Sequence, residues 1–505
     1  MKLKVLCDAA SIACPEAIGA SEVLGMSTDS RTVRDGWLFI CIRGLHADGH
    51  AYVDEAIKNG ARYVLVDRYE AVAERDDAVI LRCADCRRAS AYLWHAWYGF
   101  PANHLKLIGV TGTNGKTSVT YMLRAILEAS LFRCGIIGTV GRTSVGKPLL
   151  GQSDDPLANM TTPDPKDLYR LLAQMVADGV EYVVMEVSSH ALALEKLAPL
   201  HFEAAIFTNL TPEHLDFHRT MEHYAEAKAR LFACAGISVI NVDSPYASRM
   251  IKASVGRCIR CGVTNADADY TAEDVELLGR AGVRYRLRSV RTGLKLSCPI
   301  PGSFTVLNSM QAAIVALELG CRPSIVKSAL STMDGVKGRM ERVRLGFGAE
   351  FTVLIDYAHT PDALEKLLRT SRGLVENTGK MTVLFGCGGD RDRTKRAVMG
   401  EIASRLADAV IVTSDNSRSE EPQSIIDEIL AGVHRETPCT VILDREEAIR
   451  HAVTNASAGD LILLAGKGHE EYEISRAGRR RFCEREIVLD AYEARCKREN
   501  NRETE

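Results

Sequence analysis

Two glycines, a lysine and a threonine stand in Gly112-Thr-Asn-Gly-Lys-Thr117 at the spacing of a phosphate-holding turn. Backbone N–H groups of Gly112, Thr113, Asn114 and Gly115 can face phosphate oxygens there. Lys116 adds a point charge, Thr117 offers a hydroxyl to Mg²⁺, and Ser118 opens the helix that follows. Val110 occupies the position where a strict Walker motif has its first glycine. The chemistry this turn serves is the binding of a nucleoside triphosphate, taken to be ATP with Mg²⁺.

Other polar clusters carry the residue types of acid–base, metal and carboxylate chemistry. They are Glu186-Val-Ser-Ser-His190, Thr208-Asn-Leu-Thr211, Asp356-Tyr-Ala-His359, Gly386 to Asp392, Asp415-Asn-Ser-Arg418 and Gly466-Lys-Gly-His-Glu470. Each follows an apolar, strand-like run. In open parallel sheets, ligands bind outside the carboxyl ends of the strands. Strand-to-helix loops are polar in any case, but six such clusters together favour construction of an active site.

The elements that must position them are legible from periodicity. Leu107 to Val110 reads as a strand, and Val119, Met122, Leu123, Ile126 and Leu127 mark one face of a helix. Tyr63–Val66 and Ala78–Leu81 read as strands of a small N-terminal α/β unit, with a short helix over Tyr52 to Gly60. Further strands are expected at Tyr182 to Val187, Ala204 to Thr208, Ser238 to Asn241, Phe351 to Ile355, Met381 to Phe385, Ala409 to Thr413 and Leu461 to Leu464. Alternation with helices predicts an α/β protein with mainly parallel sheets. The tail Arg495 to Glu505 is nearly all polar and is expected to fray.

At 505 residues the chain exceeds one ordinary core, and a 46% hydrophobic and 26% charged composition describes a soluble globular protein. A formal charge of -3 and the lack of any long basic block argue against nucleic acid. Apolar runs stop short of membrane-spanning length, and Met1 to Asp8 lacks a signal-peptide core, so a cytoplasmic protein is expected. Arg476 to Arg481 reads as a solvated hairpin or helix end. Cys83/Cys86 and Cys258/Cys261 each form a C-x-x-C, but the pairs lie about 170 residues apart without His at ligand spacing; reduced thiols fit the fifteen cysteines better.

With the glycine turn, Glu186-Val-Ser-Ser-His190, Asp356-Tyr-Ala-His-Thr-Pro361 and Gly466-Lys-Gly-His-Glu470 in this order, the chain resembles the Mur ligase family from about Asp29 to Tyr472. The resemblance implies three domains: a UDP-binding unit over 1–103, a central P-loop-type ATPase over 104–337, and a Rossmann-like amino-acid-binding domain over 338–505. It implies ATP-dependent amide formation, with an acyl phosphate on the D-glutamate side-chain carboxylate of UDP-MurNAc-L-Ala-D-Glu attacked by the amine of an incoming amino acid. Such a protein works on small molecules, with no nucleic-acid partner and no membrane span, and a monomer is expected.

Roles follow position by position from the same resemblance. Lys116 would hold the β- and γ-phosphates. Thr117, Glu186, His214 and Lys228, the last as a carbamate, would serve metal ions. Asn308, Arg339, Asp356 and His359 would contact nucleotide. Ser30 in Asp29-Ser-Arg31, with His46 and Ala47 in Gly44 to Gly49, resemble uridine loops, and Thr161, Thr162, Ser188 and Lys196 resemble muramoyl-peptide contacts. Leu194, Lys196 and Met160 depart from the family's common Gln, Arg and Asn. On residues alone, Lys228 is a lysine on a helix, and Asp356 reads equally well as a helix N-cap.

Family members that add meso-diaminopimelate carry Asp-Asn-Pro-Arg, and this chain has Asp415-Asn416-Ser417-Arg418. A guanidinium suits the distal carboxylate of that amino acid. Arg391, Gly466 and Glu470 complete the expected amino-acid site. Lysine, ornithine or lanthionine as the added group, a folylpolyglutamate-type ligase, and a nucleotide-gated binding protein are the alternatives.

Overall fold

Short runs rich in β-branched and aromatic residues build a parallel sheet at the N-terminal end: β1 (Gly25–Ser27), β2 (Trp37–Ile40), β3 (Ala61–Val66) and β4 (Val79–Arg82), in that order. The expected helix before β3 is a 3₁₀ turn, Gly49–Tyr52, running into the helix Val53–Lys58. This is a computed structural model, and it describes residues 1–44, 47–68, 72, 75–149, 160–265, 267–290, 293–333, 335–346, 349–375 and 379–503. His46 of the expected uridine loop lies outside the described residues.

Two compact units emerge. The first comprises Met1–Thr271, Arg288–Thr292 and Met310–Val326. Beyond the N-terminal sheet it contains β5 (Lys106–Thr111), β6 (Cys134–Gly138), β7 (Gly141–Ser144), β8 (Lys147–Pro148), β9 (Tyr182–Glu186), β10 (Phe202–Phe207), β11 (Ala235–Asn241) and β12 (Arg257–Gly262). Their spatial order is β12-β11-β10-β5-β9-β6-β7-β8. All pairings from β12 to β6 are parallel, and only β7 and β8 run antiparallel. After β5 the chain crosses over β9 to reach β6, so β5 ends at a point where strand order reverses, the place such sheets bind ligands. The helix Lys116–Ala129 packs here because Val119, Met122, Leu123, Ile126 and Leu127 are all fully buried on one face.

The second unit, Ala272–Leu287, Gly293–Ser309 and Lys327–Glu505, holds most of β13 (Tyr270–Leu277) and of β14 (Val283–Arg288), with β15 (Gly293–Cys298). Its main sheet comprises β16 (Glu341–Arg342), β17 (Thr352–Asp356), β18 (Met381–Phe385), β19 (Ala409–Val412), β20 (Cys439–Val441) and β21 (Leu461–Ala465). The order is β16-β17-β21-β18-β19-β20, parallel except for β16. Apolar cores cover both faces, one through Leu364, Leu368, Met399 and Ile426, the other through Ile449, Val453, Ile462 and Val488.

Two tail expectations are resolved differently. The basic cluster forms a hairpin, β22 (Tyr472–Ser475) with β23 (Gly478–Arg481), as one of its two readings held. The polar tail begins inside the helix Glu484–Glu503. Ile487, Val488 and Ala491 bury one face of that helix, and Arg495 Nη1 donates to the carbonyls of Val453 and Ala456 at 3.1 and 2.7 Å. Polarity of the exposed side concealed this anchoring. No described helix is long and apolar enough to cross a membrane.

Candidate active site

Beyond β5 the chain turns through Gly112 and Gly115, at φ +150° and +85°, a region open to glycine but strained for other residues. A Cβ on Gly112 would stand 1.9 Å from Thr208 Oγ1. The segment after β10 grips the turn at this close approach: Thr208 Oγ1 donates to Asn114 O at 2.6 Å, and Asn114 N–H donates to Asn209 Oδ1 at 3.0 Å. Thr113 Oγ1 accepts from Thr211 N–H at 3.0 Å. The turn is thus held rigid from outside.

Its cations converge on its own carbonyls. Lys116 Nζ donates to Gly112 O at 3.0 Å and to Thr113 O at 2.8 Å. Lys228, in the helix Met221–Ala229, is 1% exposed and also donates to Gly112 O, at 3.0 Å. Its ammonium lies 4.7 Å from the centre of the Tyr224 ring. Burial, reinforced by the positive charge of Lys116, pushes the Lys228 pKa well below that of an ordinary lysine. So a lysine that reads as a surface residue is a buried amine biased toward its neutral form.

On the other side of the turn, Thr117 Oγ1 donates to Glu186 Oε1 at 3.0 Å. Glu186 ends β9 fully buried, and Thr139 gives it two more hydrogen bonds, N–H to Oε1 and Oγ1 to Oε2, both 3.0 Å. Gly138 leaves room for the carboxylate, since a Cβ there would meet Oε1 at 2.4 Å. Thr161 Oγ1 lies 3.0 Å from Thr139 Oγ1, while Thr162 Oγ1 donates to Glu186 O at 2.9 Å and accepts from Ser188 N–H. His214 caps a short helix at φ +55°, its ring 4.9 Å from that of His190. Burial holds the His214 pKa below the usual histidine value. The donors of Thr117, Glu186 and His214 are mostly hard oxygens, which fit Mg²⁺.

The departures at positions 160 and 196 meet each other. Lys196 is buried, ion-paired to Asp164 at 2.6 Å, and donates to Met160 Sδ at 3.5 Å. At the uridine end, buried Ser30 donates to Glu55 Oε2 at 2.7 Å, and Ala47 O accepts from Gly44 N–H at 2.7 Å. Ser30 is thus partly committed to the fold.

In the second unit, Asp356 ends β17 with its carboxylate accepting from Met340 N–H at 2.8 Å and Ala358 N–H at 2.9 Å. Burial raises its pKa, with Arg339 opposing. Its bond to Ala358 N–H closes a local turn, but the next helix, Pro361–Arg372, is capped by Thr360, so the N-cap alternative does not hold; its other bond fixes Met340, next to Arg339. The Arg339 guanidinium lies 4.7 Å from the centre of the Tyr357 ring, and the ring of His359 lies 4.5 Å from that of Tyr357. Asn308 is buried in the helix Phe304–Glu318.

The loop after β19 forms a separate cluster. Asn416 Nδ2 donates to Glu470 Oε2 at 2.8 Å, and its Oδ1 accepts from Lys467 Nζ at 3.1 Å and Ile474 N–H at 2.9 Å. Burial alone would raise the Asp415 pKa, but Lys467, 3.3 Å away, and Arg445 outweigh it and keep the carboxylate ionised. Gly466, at φ +113°, brings the β21 loop so close that a Cβ would meet Asp415 Oδ2 at 2.8 Å. Burial raises the Glu470 pKa, and Asp415 adds to it.

Arg418 sits half-buried at φ +51°, and its Nη1 donates to Gly389 O at 2.8 Å and Asn416 O at 3.3 Å. No carboxylate among the described residues pairs with it. Ser417 is buried beside it, whereas Arg391 is exposed and donates to Asp390 O at 3.3 Å. The fold brings together Asp415, Asn416, Ser417, Arg418, Gly466 and Glu470, with Arg391 at the margin.

Sequence reading missed Lys467, Arg396 and Arg445. Arg396 is fully buried, and its guanidinium holds Glu420 through two bonds of 2.8 and 3.0 Å and Glu428 at 3.0 Å. Arg445, equally buried, pairs with Glu484 at 2.8 Å and donates to Ala465 O at 2.8 Å. The one signal for Lys467 was its place inside Gly466-Lys-Gly-His-Glu470.

Family models match three stretches: Mur ligase family, catalytic domain, at residues 22–90; Mur ligase middle domain at 110–316; and Mur ligase, glutamate ligase domain, at 338–468. The UDP-N-acetylmuramoyl-L-alanyl-D-glutamate--2,6-diaminopimelate ligase of Caldanaerobacter subterraneus subsp. tengcongensis is 44% identical over 471 residues, 93% of this chain and 94% of its own length. The ligase of the same description from Clostridium botulinum is 39% identical over 92% of this chain and 94% of its own. A solved structure of a ligase so described superposes with a TM-score of 0.70 at 31% identity, covering 98% of this chain and 99% of that one.

Proposed function

The chain belongs to the Mur ligase family, and on that premise we propose that it joins meso-2,6-diaminopimelate to the D-glutamate side-chain carboxylate of UDP-MurNAc-L-Ala-D-Glu, consuming ATP in peptidoglycan precursor synthesis. Relatives of that printed activity, similar over more than nine-tenths of the chain, support the reading. The domains we propose are 1–103, 104–337 and 338–505, a reading supported by the separate family-model matches at 22–90, 110–316 and 338–468.

The phosphate turn and Lys116 bind the triphosphate and offset its charge, and the rigid setting of the turn keeps donors aimed without reorganisation. Thr117, Glu186 and His214 would hold Mg²⁺, which when bound neutralises charge on the transferring phosphoryl group. Lys228 is the candidate for carbamylation: its neutral amine would add CO₂, forming an N–C bond and releasing one proton. The product is an anionic oxygen donor where two cations otherwise crowd one carbonyl. Thr161, Thr162, Ser188 and Lys196 would hold the muramoyl peptide with its carboxylate near the phosphate turn, and Ser30 and Ala47 the uridine end. Asn308, Arg339, Asp356 and His359 would meet nucleotide.

The single observation carrying the choice of amino acid is Arg418, whose charge meets carbonyl oxygens but pairs with no carboxylate among the described residues. A guanidinium so placed awaits the distal carboxylate of diaminopimelate, which lysine and ornithine lack. Glu470, Asn416 and Asp415 supply acceptors for the distal ammonium. ATP and a UDP-sugar as substrates are consistent with work in the cytoplasm, as a monomer.

The test is phosphate release with UDP-MurNAc-L-Ala-D-Glu against meso-diaminopimelate, L-lysine, L-ornithine and lanthionine, with a folate plus glutamate as a further arm. Diaminopimelate should be strongly preferred. A lysine preference would overturn the amino-acid choice alone, and release with only the folate would overturn the reading as a whole.

A further inference from the structure

Three potential metal donors converge beside the N-terminal sheet, and a fourth, Cys83, touches one of them. His50 lies in the turn Gly49–Tyr52, Asp67 follows β3, Cys83 follows β4, and Cys86 opens the helix Cys86–Trp97. Donor atoms of His50, Asp67 and Cys86 all lie within 4.8 Å of one another, and Cys83 Sγ is 3.6 Å from Cys86 Sγ. His50 and Asp67 side chains are 3% and 2% exposed.

Hydrogen bonding fixes what His50 presents. Its Nδ1 is 2.6 Å from Asp48 Oδ1, so that nitrogen carries the proton. Its Nε2 accepts from the backbone N–H of Asp67 at 3.3 Å, so that nitrogen is bare. Facing it at 3.4 Å stands Asp67 Oδ1, a buried oxygen with no hydrogen-bond donor. Two bare acceptors therefore confront each other in a buried site, an arrangement that repels unless a cation lies between or beside them.

Two of the spacings match one cation. Tetrahedral zinc with Zn–S near 2.3 Å and Zn–N or Zn–O near 2.0–2.1 Å gives sulfur–sulfur edges of about 3.8 Å and nitrogen–oxygen edges of about 3.4 Å. The Cys83–Cys86 and His50–Asp67 distances of 3.6 and 3.4 Å are such edges. Asp48 on the far nitrogen of His50 completes the carboxylate–histidine support usual for metal ligands. Arg43, 3.4 Å from Asp67 Oδ2, would offset the net negative charge of two thiolates and a carboxylate on Zn²⁺.

We propose that His50, Asp67 and Cys86, with Cys83 drawn in from beside Cys86 as the fourth ligand, form a structural Zn²⁺ site that ties the turn carrying His50 to the carboxyl ends of β3 and β4. Binding replaces both thiol protons, which leave to solvent, and displaces the weak Asp67 N–H to His50 contact. The chain then has its cross-link directly after Gly49, at the base of the Gly44–Gly49 loop.

Metal content of the purified full-length protein tests this, with Zn²⁺ and Co²⁺ as probes. One zinc per chain is expected, released when a mercurial titrates the thiols. Co²⁺ should give the visible bands and thiolate charge transfer of a tetrahedral sulfur-containing site, which an oxygen-lined Mg²⁺ site cannot produce. Both signatures should vanish in Cys83→Ser with Cys86→Ser, and zinc affinity should fall at least tenfold in Asp67→Asn, a variant that preserves shape. Absence of zinc after loading, zinc retained by the double variant, or recovery only of a Cys83–Cys86 disulfide would overturn the proposal.

Discussion

Lys116 and Lys228, 112 residues apart in sequence, donate to one acceptor, the carbonyl oxygen of Gly112, each at 3.0 Å. Two ammonium groups on one oxygen repel, and Lys228 has no access to water that would screen the charge. The energetically cheaper states have Lys228 neutral or converted to an anion.

A neutral buried lysine makes stability depend on pH. The unfolded chain binds a proton at Lys228 below 10.5, while the folded chain does so only well below that value. Stability from this group therefore falls as pH drops from 10.5 toward the folded pKa, by up to about 1.4 kcal/mol per pH unit. In CO₂-free buffer, denaturant midpoints of wild type and Lys228→Met should diverge as pH is lowered, the variant becoming relatively more stable. Parallel curves would contradict the neutral-amine assignment.

The proposed carbamylation makes a second demand of the same residue. Lys228→Ala should lose on the order of a hundredfold or more in phosphate release. Added acetate, a small carboxylate, should restore part of the rate, and methylamine should not. Rescue by the amine alone would mean that the lysine acts as a cation.

Glu186→Gln keeps the shape and the acceptor for Thr139 but removes the charge beside Thr117. The Mg²⁺ concentration for half-maximal activity should rise at least tenfold, with the unfolding midpoint nearly unchanged. An unaltered Mg²⁺ requirement would remove Glu186 from the metal set.

Arg418→Ala should raise the KM for diaminopimelate by about 10- to 150-fold, the worth of a charge-assisted hydrogen bond of about 1.5–3 kcal/mol. The KM for ATP should move less than about twofold on the same scale. Steady-state kinetics on both substrates decide this, and equal shifts would place Arg418 outside the amino-acid site.

Arg396→Met leaves Glu420 and Glu428 facing each other without the buried guanidinium. Loss of about 3 kcal/mol of stability is expected, as for other broken buried pairs. Because Glu420 Oε1 also accepts from Asp390 N–H at 2.6 Å, the loop 388–392 should loosen as well, read as faster amide exchange at Gly389 and Asp390.

Much of this was legible because strand ends and loop chemistry are local. Gly112 to Thr117, Glu186 and Asp415 each follow an apolar run directly, and the fold places them where that pattern implies. Lys228 was not readable from its own neighbourhood, since its burial depends on a carbonyl 116 residues away. Arg396 looks like any helix-surface arginine until Glu420 and Glu428 arrive from another element. The nearness of Asp67 to Cys83 and Cys86 was not readable along the chain, because it follows from the parallel register of β3 and β4, and His50 arrives from the separate turn Gly49–Tyr52. Arg495 belied the polarity of its tail by anchoring it to Val453 and Ala456.

The buried pair of Arg445 and Glu484 also sets an order in time. Arg445 helps keep Asp415 ionised, yet its own carboxylate partner is synthesised 39 residues later. A nascent chain that has reached Arg445 but not Glu484 therefore holds a guanidinium without that carboxylate. The described contacts of the phosphate turn with Thr208, Asn209, Thr211 and Lys228 all use residues made well before Arg445. The half that selects the amino acid must wait for Glu484.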